Sequence, residues 1–297
     1  MHWQAIDGFL NLLKPPGLTS QEAVTLVRRT LAAAKAGHAG TLDPAAAGVL
    51  AVCLGKATRL ADLVGAGDKA YRAEITFGLA TSTLDSEGEV TARADTGGVT
   101  PGALGQALAG LVGEIEQYPP TYSAVHVEGR RLYEWARAGQ AVAVPPRRVR
   151  VSRFELLDYQ PGPPPRALVE VTCSRGTYVR VLAAQVGEAL GTAAYLSFLL
   201  RTRAGEFGLE EALTPEEVGD AVAAGRSPVL PLDWPLAAWP AVELPAVEAR
   251  RACHGGAVPT AGEGWVRLYH GGRLLAAAQA AQGWAQPKMV FEDAPCS

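Results

Sequence analysis

The chain has 297 residues, long enough for a substantial core and more than one folded unit. Hydrophobic residues make up 48% and charged residues 19%, with a formal net charge of −3, which excludes a disordered chain and argues against binding polyanions through bulk charge. Four widely spaced cysteines, with no C-x-x-C pair, count against a zinc site or a disulfide framework, and the longest apolar run, Ala193–Leu200 apart from Ser197, is far too short for a membrane span.

The start, MHWQAIDGFLNLLK, lacks the basic head and apolar centre of a secretory signal, so a cytoplasmic location without membrane attachment is expected. GFLNLL (8–13) reads as a short strand stopped by KPPG. Thr19 with Glu22 three residues on forms a capping box and predicts a helix running to about Ala34. After the glycine-rich stretch GHAGTLDPAAAG (37–48), VLAVCLG (49–55) reads as a buried strand, and KATRLADLV (56–64) has helical spacing. AYRAEITFG (70–78) alternates as a strand, TPGALGQALAGLVG (100–113) predicts a helix opened by proline, and 122–139 reads as a strand, a turn and a short helix. RVRVSRFELLDY and ALVEVTCS are two further alternating strands, and TYVRVLAAQVGEALG is a helix ended by Gly191.

Strands and helices are interspersed without a regular β-α-β repeat, which favours a mixed sheet over a doubly wound one. Five prolines between 226 and 246 mark a connecting segment, and the short runs around glycine pairs from about 241 onward indicate a small β-rich unit. Charge is segregated along the chain. Residues 126–154 hold seven arginines against Glu128 and Glu134, whereas 206–220 hold six acids and no base. Only five of the basic residues are lysine, so polyanion contacts in the basic stretch would be forked guanidinium contacts; a simply solvated arginine face is the alternative.

Gly55-Lys56 lacks the hydroxyl and the upstream glycine of a phosphate-binding loop, no G-x-G-x-x-G follows a strand, and there is no G-x-S-x-G. The five histidines do not fall at zinc spacings, so neither a metal nor a nucleotide cofactor is expected. A carboxylate is what remains for chemistry. Asp43 stands in GHAGTLDPAAAG, where Gly37 and Gly40 permit close approach of another backbone and Pro44 biases Asp43 away from helical dihedrals. Such an acid can act as nucleophile or base without a cofactor, as in glycosidic-bond chemistry. The same residues equally suit an ordinary helix N-cap before PAAAG.

GHAGTLDPAAAG resembles the catalytic loop, G-H-x-G-x-L-D-P-x-A-x-G, of TruB-type tRNA pseudouridine synthases. LLKPPGLTS before it, and DKAYRAEITFG, TSTLDSEG, YSAVHVEGRRLYEWARAG, CSRGTYVR and LLRTRAGEF after it, fall in the family's order, so the resemblance runs from about residue 8 to 236. It implies an α+β fold. A pseudouridine-synthase mixed β-sheet with flanking helices would occupy 1–236, with an RNA-gripping insertion at about 114–150, and a small β-rich PUA-like RNA-binding domain would occupy 237–297.

The implied activity is isomerisation of a uridine in the T-loop of tRNA (position 55) to pseudouridine, by base flipping and without a cofactor. By matched position Asp43 is the catalytic aspartate, Tyr71 stacks on the target base and assists proton removal from its C5, and Arg180 pairs with the aspartate. Such a pair keeps an aspartate ionised and oriented. His38 matches a histidine that holds displaced loop bases, Lys14 belongs to a K-P pair supporting the site, and Tyr178 and Leu199 match walls of the base pocket. Arg147 and Arg148, with Tyr122, Tyr133 and Trp135 nearby, fit a clamp on the T-arm; Tyr133 and Trp135 serve equally as a helix's core stripe. The resemblance further implies a monomer with tRNA as partner and no obligatory protein partner. A non-catalytic tRNA-binding or tRNA-folding chaperone on the same scaffold is the alternative function. Leu13, Ser82, His126 and Leu200 depart from the family pattern, Asp85 keeps it, and none of the departures touches Asp43, Tyr71 or Arg180.

Overall fold

The alternating segments assemble into one large mixed sheet. Its path runs Gly8–Lys14, Ala47–Leu54, Ala194–Ala204, Lys69–Phe77, Arg166–Cys173, Arg147–Gln160 and Gly113–Gln117, and the short strands Ala36–His38 and Phe207–Gly208 join it from the side. The structure, a computed structural model, describes residues 3–123, 125–127, 129–140 and 142–292, without the side chains of His126, Arg131, Tyr133, Ala136 and Arg137. The expected α+β class holds.

Neighbouring strands are antiparallel except at one joint, where Ala47–Leu54 meets Ala194–Ala204 in parallel through Leu200↔Ala47 and Arg201↔Gly48. Gly48 has φ +118°, and a Cβ there would stand 2.2 Å from the Arg201 carbonyl oxygen. Only glycine allows the two backbones to meet. The loop carrying Asp43 runs directly into this joint.

One face of the sheet buries Tyr71, Ala73, Ile75 and Phe77 against Leu182, Ala183 and Val186 of the helix Val179–Ala189 and Leu104 and Leu108 of the helix Pro101–Gly110. The strand Ala47–Leu54 is buried on both faces, which explains its unbroken apolar run. Its Leu50, Val52 and Leu54 pack on Ala23, Val24 and Val27 of the helix Ser20–Thr30, and Val49, Ala51 and Cys53 pack on Phe9 and Phe207. A second sheet, ordered Ala241–Glu243, Gly264–His270, Arg273–Ala281, Trp284–Val290 and Val258–Pro259, buries one face under Ala249, Ala252 and Cys253 of the helix Ala246–Cys253. Its Ala277, together with Phe291, enters the same core as Phe9 and Val49, so the second sheet is packed onto the first body. Among the described residues no helix is long and apolar enough to cross a membrane.

Three local expectations are corrected. The first helix ends at Thr30 rather than near Ala34, because Ala32 turns to φ +49° and Ala34 N–H pairs with the Gln4 carbonyl at 2.9 Å. Residues 55–60 form a 3-10 segment, and only Ala61–Gly65 is α-helical. The eleven-residue strand Ala194–Ala204 is central to the sheet but was not among the predicted strands. Irregularities between Leu196 and Phe198 and between Arg201 and Arg203 break its alternation.

Candidate active site

The site is built from the 39–46 loop upward. Ser20 clamps the middle of the loop: Leu42 N–H donates to Ser20 Oγ at 2.8 Å and Ser20 Oγ donates to the Leu42 carbonyl at 3.0 Å. Two buried cations bond further carbonyls in and beside the loop. Lys14, with no exposed surface, donates through Nζ to the carbonyls of Pro15 (2.9 Å), Leu18 (2.7 Å) and Pro44 (3.2 Å). Arg201, also fully enclosed, donates to the carbonyls of Val49 (2.7 Å), Thr41 (3.1 Å) and Gly40 (3.2 Å). Of the two glycines singled out before Asp43, only Gly40 takes a left-handed conformation, at φ +109°.

The N-cap reading of Asp43 is overturned. Its carbonyl accepts from Ala46 N–H at 3.1 Å in a single turn, the chain continues as a strand, and the side chain turns to Arg180. Arg180 projects from the first turn of Val179–Ala189 and is 6% exposed, with every arm of its guanidinium engaged. Nε lies 3.0 Å from Asp43 Oδ2, Nη1 lies 3.4 Å from Asp85 Oδ2 and 3.1 Å from the Thr83 carbonyl, and Nη2 donates to the Tyr122 carbonyl at 3.1 Å. Asp85 is buried and also accepts from the Thr83 hydroxyl and from Glu87 N–H.

Asp43 presents its side chain to a cavity with protein on its other sides, and 40% of that side chain remains accessible. Burial pushes its carboxyl above the ordinary 3.8, Arg180 is the strongest influence opposing that rise, and the Asp85 charge adds to it. Arg180 therefore acts in the expected direction, orienting the acid and favouring its ionised form against the upward push of burial. Tyr71 lies opposite Arg201 in the sheet register and is 7% exposed. Burial pushes its phenol above its ordinary value, against the opposing charge and hydrogen bond of Arg201, so it is neutral near pH 7. Burial, followed by the charge of Arg201, pulls His38 below 6.5, and its Nδ1 is buried without a partner.

The cavity measures about 500 Å³. It brings together Asp43, Tyr71, Arg180, His38, Tyr178, Leu199 and Arg147 from the predicted set. It does not include Lys14 or Arg148. Lys14, expected to support the site, bonds backbone carbonyls and does not face the cavity, while Arg148 is largely exposed and pairs with Glu116 at 3.7 Å. Trp135, in the short helix Leu132–Arg137, turns back to the preceding hairpin, donating to the Val127 carbonyl at 3.2 Å beneath the Arg130 guanidinium. The side chain of Tyr133 lies outside the described residues.

Sequence reasoning missed Arg201 and Lys69. Both line the cavity, and Lys69 donates to the carbonyls of Gly65 and Gly67 at 2.6 Å each. Burial first, then Arg201 and Arg175, pull its ammonium down to about 8. The available signal was a cation at a buried strand position, which needs partners supplied by the fold. The arrangement offers one oriented carboxylate, a neutral phenol and a fixed guanidinium around a nucleotide-sized space.

Residues 28–179 match the family described as TruB family pseudouridylate synthase (N terminal domain). The chain is 53% identical over 250 residues to tRNA pseudouridine synthase B of Symbiobacterium thermophilum, covering 84% of this chain and 82% of that one. It is 48% identical over 286 residues to tRNA pseudouridine synthase B of Moorella thermoacetica, covering 92% and 94%. Among solved structures it superposes on a Cbf5-Nop10-Gar1 complex with a TM-score of 0.74 at 28% identity, covering 96% of this chain and 85% of that one. An H/ACA RNP bound to a substrate RNA containing 2'-deoxyuridine gives a TM-score of 0.73 at 25% identity, with the same coverage. With its sheet, its ordered loop and these relatives in agreement, the chain belongs to the TruB family of pseudouridylate synthases.

Proposed function

We propose that this enzyme isomerises the T-loop uridine of tRNA, position 55, to pseudouridine, with Asp43 as the catalytic carboxylate. The observation that carries the proposal is the Asp43–Arg180 pair facing the cavity beside Tyr71. The relatives' names supply tRNA as the substrate class. In the reaction the N1–C1′ bond breaks, a C5–C1′ bond forms, and the proton lost from C5 is balanced by one gained at N1, so nothing is added or removed. The uridine must leave its stack to reach an acid that lines a cavity. Tyr71 supplies the stacking face, Arg180 keeps the acid aimed, and Leu199 and Tyr178 wall the base.

Residues 1–236 act as the catalytic unit, and 237–297 as a PUA-like RNA-contacting unit. The chain works as a cytoplasmic monomer without a protein partner or cofactor. The test is incubation of the purified chain with an unmodified tRNA transcript, followed by pseudouridine mapping. Product at position 55 is expected from the wild type, and a loss of roughly a thousandfold or more from Asp43→Asn. No product from the wild type, or undiminished product from Asp43→Asn, overturns the proposal; RNA binding without any turnover would favour the chaperone alternative.

A further inference from the structure

Among the described residues three buried side-chain polar atoms lack a hydrogen-bond partner, and two of them belong to residues lining the same cavity. These are His38 Nδ1 and Ser123 Oγ; the third, Asn11 Oδ1, belongs to the first strand. Folded chains leave few such atoms, because the desolvation of a buried hydroxyl is returned only by a partner. Ser123 is 5% exposed and stands in the irregular stretch between the strand Gly113–Gln117 and the hairpin at His126. That stretch is fastened to the site one residue earlier, where the Tyr122 carbonyl accepts from Arg180 Nη2. Ser123 is therefore on the Arg180 side of the cavity, next in chain to an anchor of the guanidinium that orients Asp43.

Ser20 makes the contrast. It uses its hydroxyl both as donor and as acceptor on Leu42, as a structural serine does. Ser123 uses neither capacity, and alanine would fill the same space without an unpaired polar atom. We infer that Ser123 is a substrate-binding residue, whose hydroxyl bonds a polar group of the ribonucleotide drawn into the cavity. A ribonucleotide offers acceptors on its base, sugar and phosphate and a 2′-hydroxyl that both donates and accepts, so a lone hydroxyl finds a partner there. The inference rests on the reading of the cavity as a uridine site. It also means that the free enzyme forgoes stability that RNA binding returns.

The test compares wild type and Ser123→Ala by three measurements: KM with an unmodified tRNA transcript, equilibrium binding of the same transcript, and thermal midpoint. KM and Kd are expected to rise roughly three- to tenfold. The midpoint is expected to stay unchanged or to rise, because the substitution removes an unpaired buried hydroxyl. A Kd within twofold of wild type overturns the inference whatever the midpoint does. A weaker Kd accompanied by a lower midpoint also overturns it, since the loss then tracks damage to the fold. Wild-type turnover with an unchanged Ser123→Ala Kd leaves the proposed function standing and removes only this residue from it; absent wild-type turnover strikes the function, while binding still decides the role of Ser123.

Discussion

Asp43 is an acid under opposed influences: burial and Asp85 disfavour its charge, whereas Arg180, Lys14 and Arg201 favour it. The net direction is upward from 3.8, so acidification protonates Asp43 at a higher pH than an ordinary aspartate. An activity that needs the carboxylate is lost as pH falls through that raised value. The acid limb of kcat/KM is therefore expected above the ordinary carboxylate range. Asp85→Asn removes a like charge, so the limb should move to lower pH while Arg180 keeps its contacts to Asp43 and to the Thr83 and Tyr122 carbonyls. A limb that stays in place, or moves upward, in the pH profile of Asp85→Asn would contradict this account. Lys14 and Lys69 share a different device. Each is a buried ammonium drawn down to about 8 by desolvation and bonded to backbone carbonyls, which makes it a strut for the chain around the site.

At the scale of elements the site depends on the two-residue parallel joint between Ala47–Leu54 and Ala194–Ala204. The joint places Arg201 under the loop that carries Asp43 and beside Tyr71, so one strand position organises both. Gly48→Ala tests this. A Cβ at 2.2 Å from the Arg201 carbonyl oxygen and 2.6 Å from its nitrogen must push the strands apart. The expected cost is about 3 kcal/mol, which lowers the thermal midpoint by roughly 6–12 °C in calorimetry. Activity should fall with it, as the loop carbonyls lose their clamp. A midpoint within about 2 °C of wild type would show that the joint tolerates a side chain.

At the scale of the whole molecule, the arginine stretch has been divided by the fold. Arg147 lines the cavity, whereas Arg148 and Arg150 pair with Glu116 and Asp68 on exposed surface. Surface pairs of this kind are weak and leave both guanidinium groups open to exchange onto phosphate. Replacing Arg147, Arg148 and Arg150 by glutamine should weaken tRNA binding and lower the slope of log affinity against log salt by roughly two to three. Arg147→Gln alone should carry the largest share, given its place in the cavity. Unchanged affinity and slope would remove this stretch from the RNA interface. The second sheet shares a core with the first through Ala277 and Phe291, which fixes it on the first body instead of leaving it on a free tether.

What the sequence by itself determined is local or patterned: the strands of the large sheet that alternate, the Thr19 capping box, and the family resemblance carried by ordered segments. Asp43, Tyr71 and Arg180 were legible because each sits in a distinctive segment. The strand Ala194–Ala204 was not, because its irregularities erase the two-residue period that identifies a strand. Only the tertiary structure decided what buried polar groups do. Lys14 became a carbonyl clamp, Arg201 a support shared by loop and phenol, and Asp85 the second carboxylate on Arg180. Ser123 was left without a partner, and Asp43 was turned from a helix cap into a paired acid. The physical reason is that periodicity and capping act over a few residues, whereas the cost of burying a charge or a hydroxyl depends on partners that arrive from distant parts of the chain.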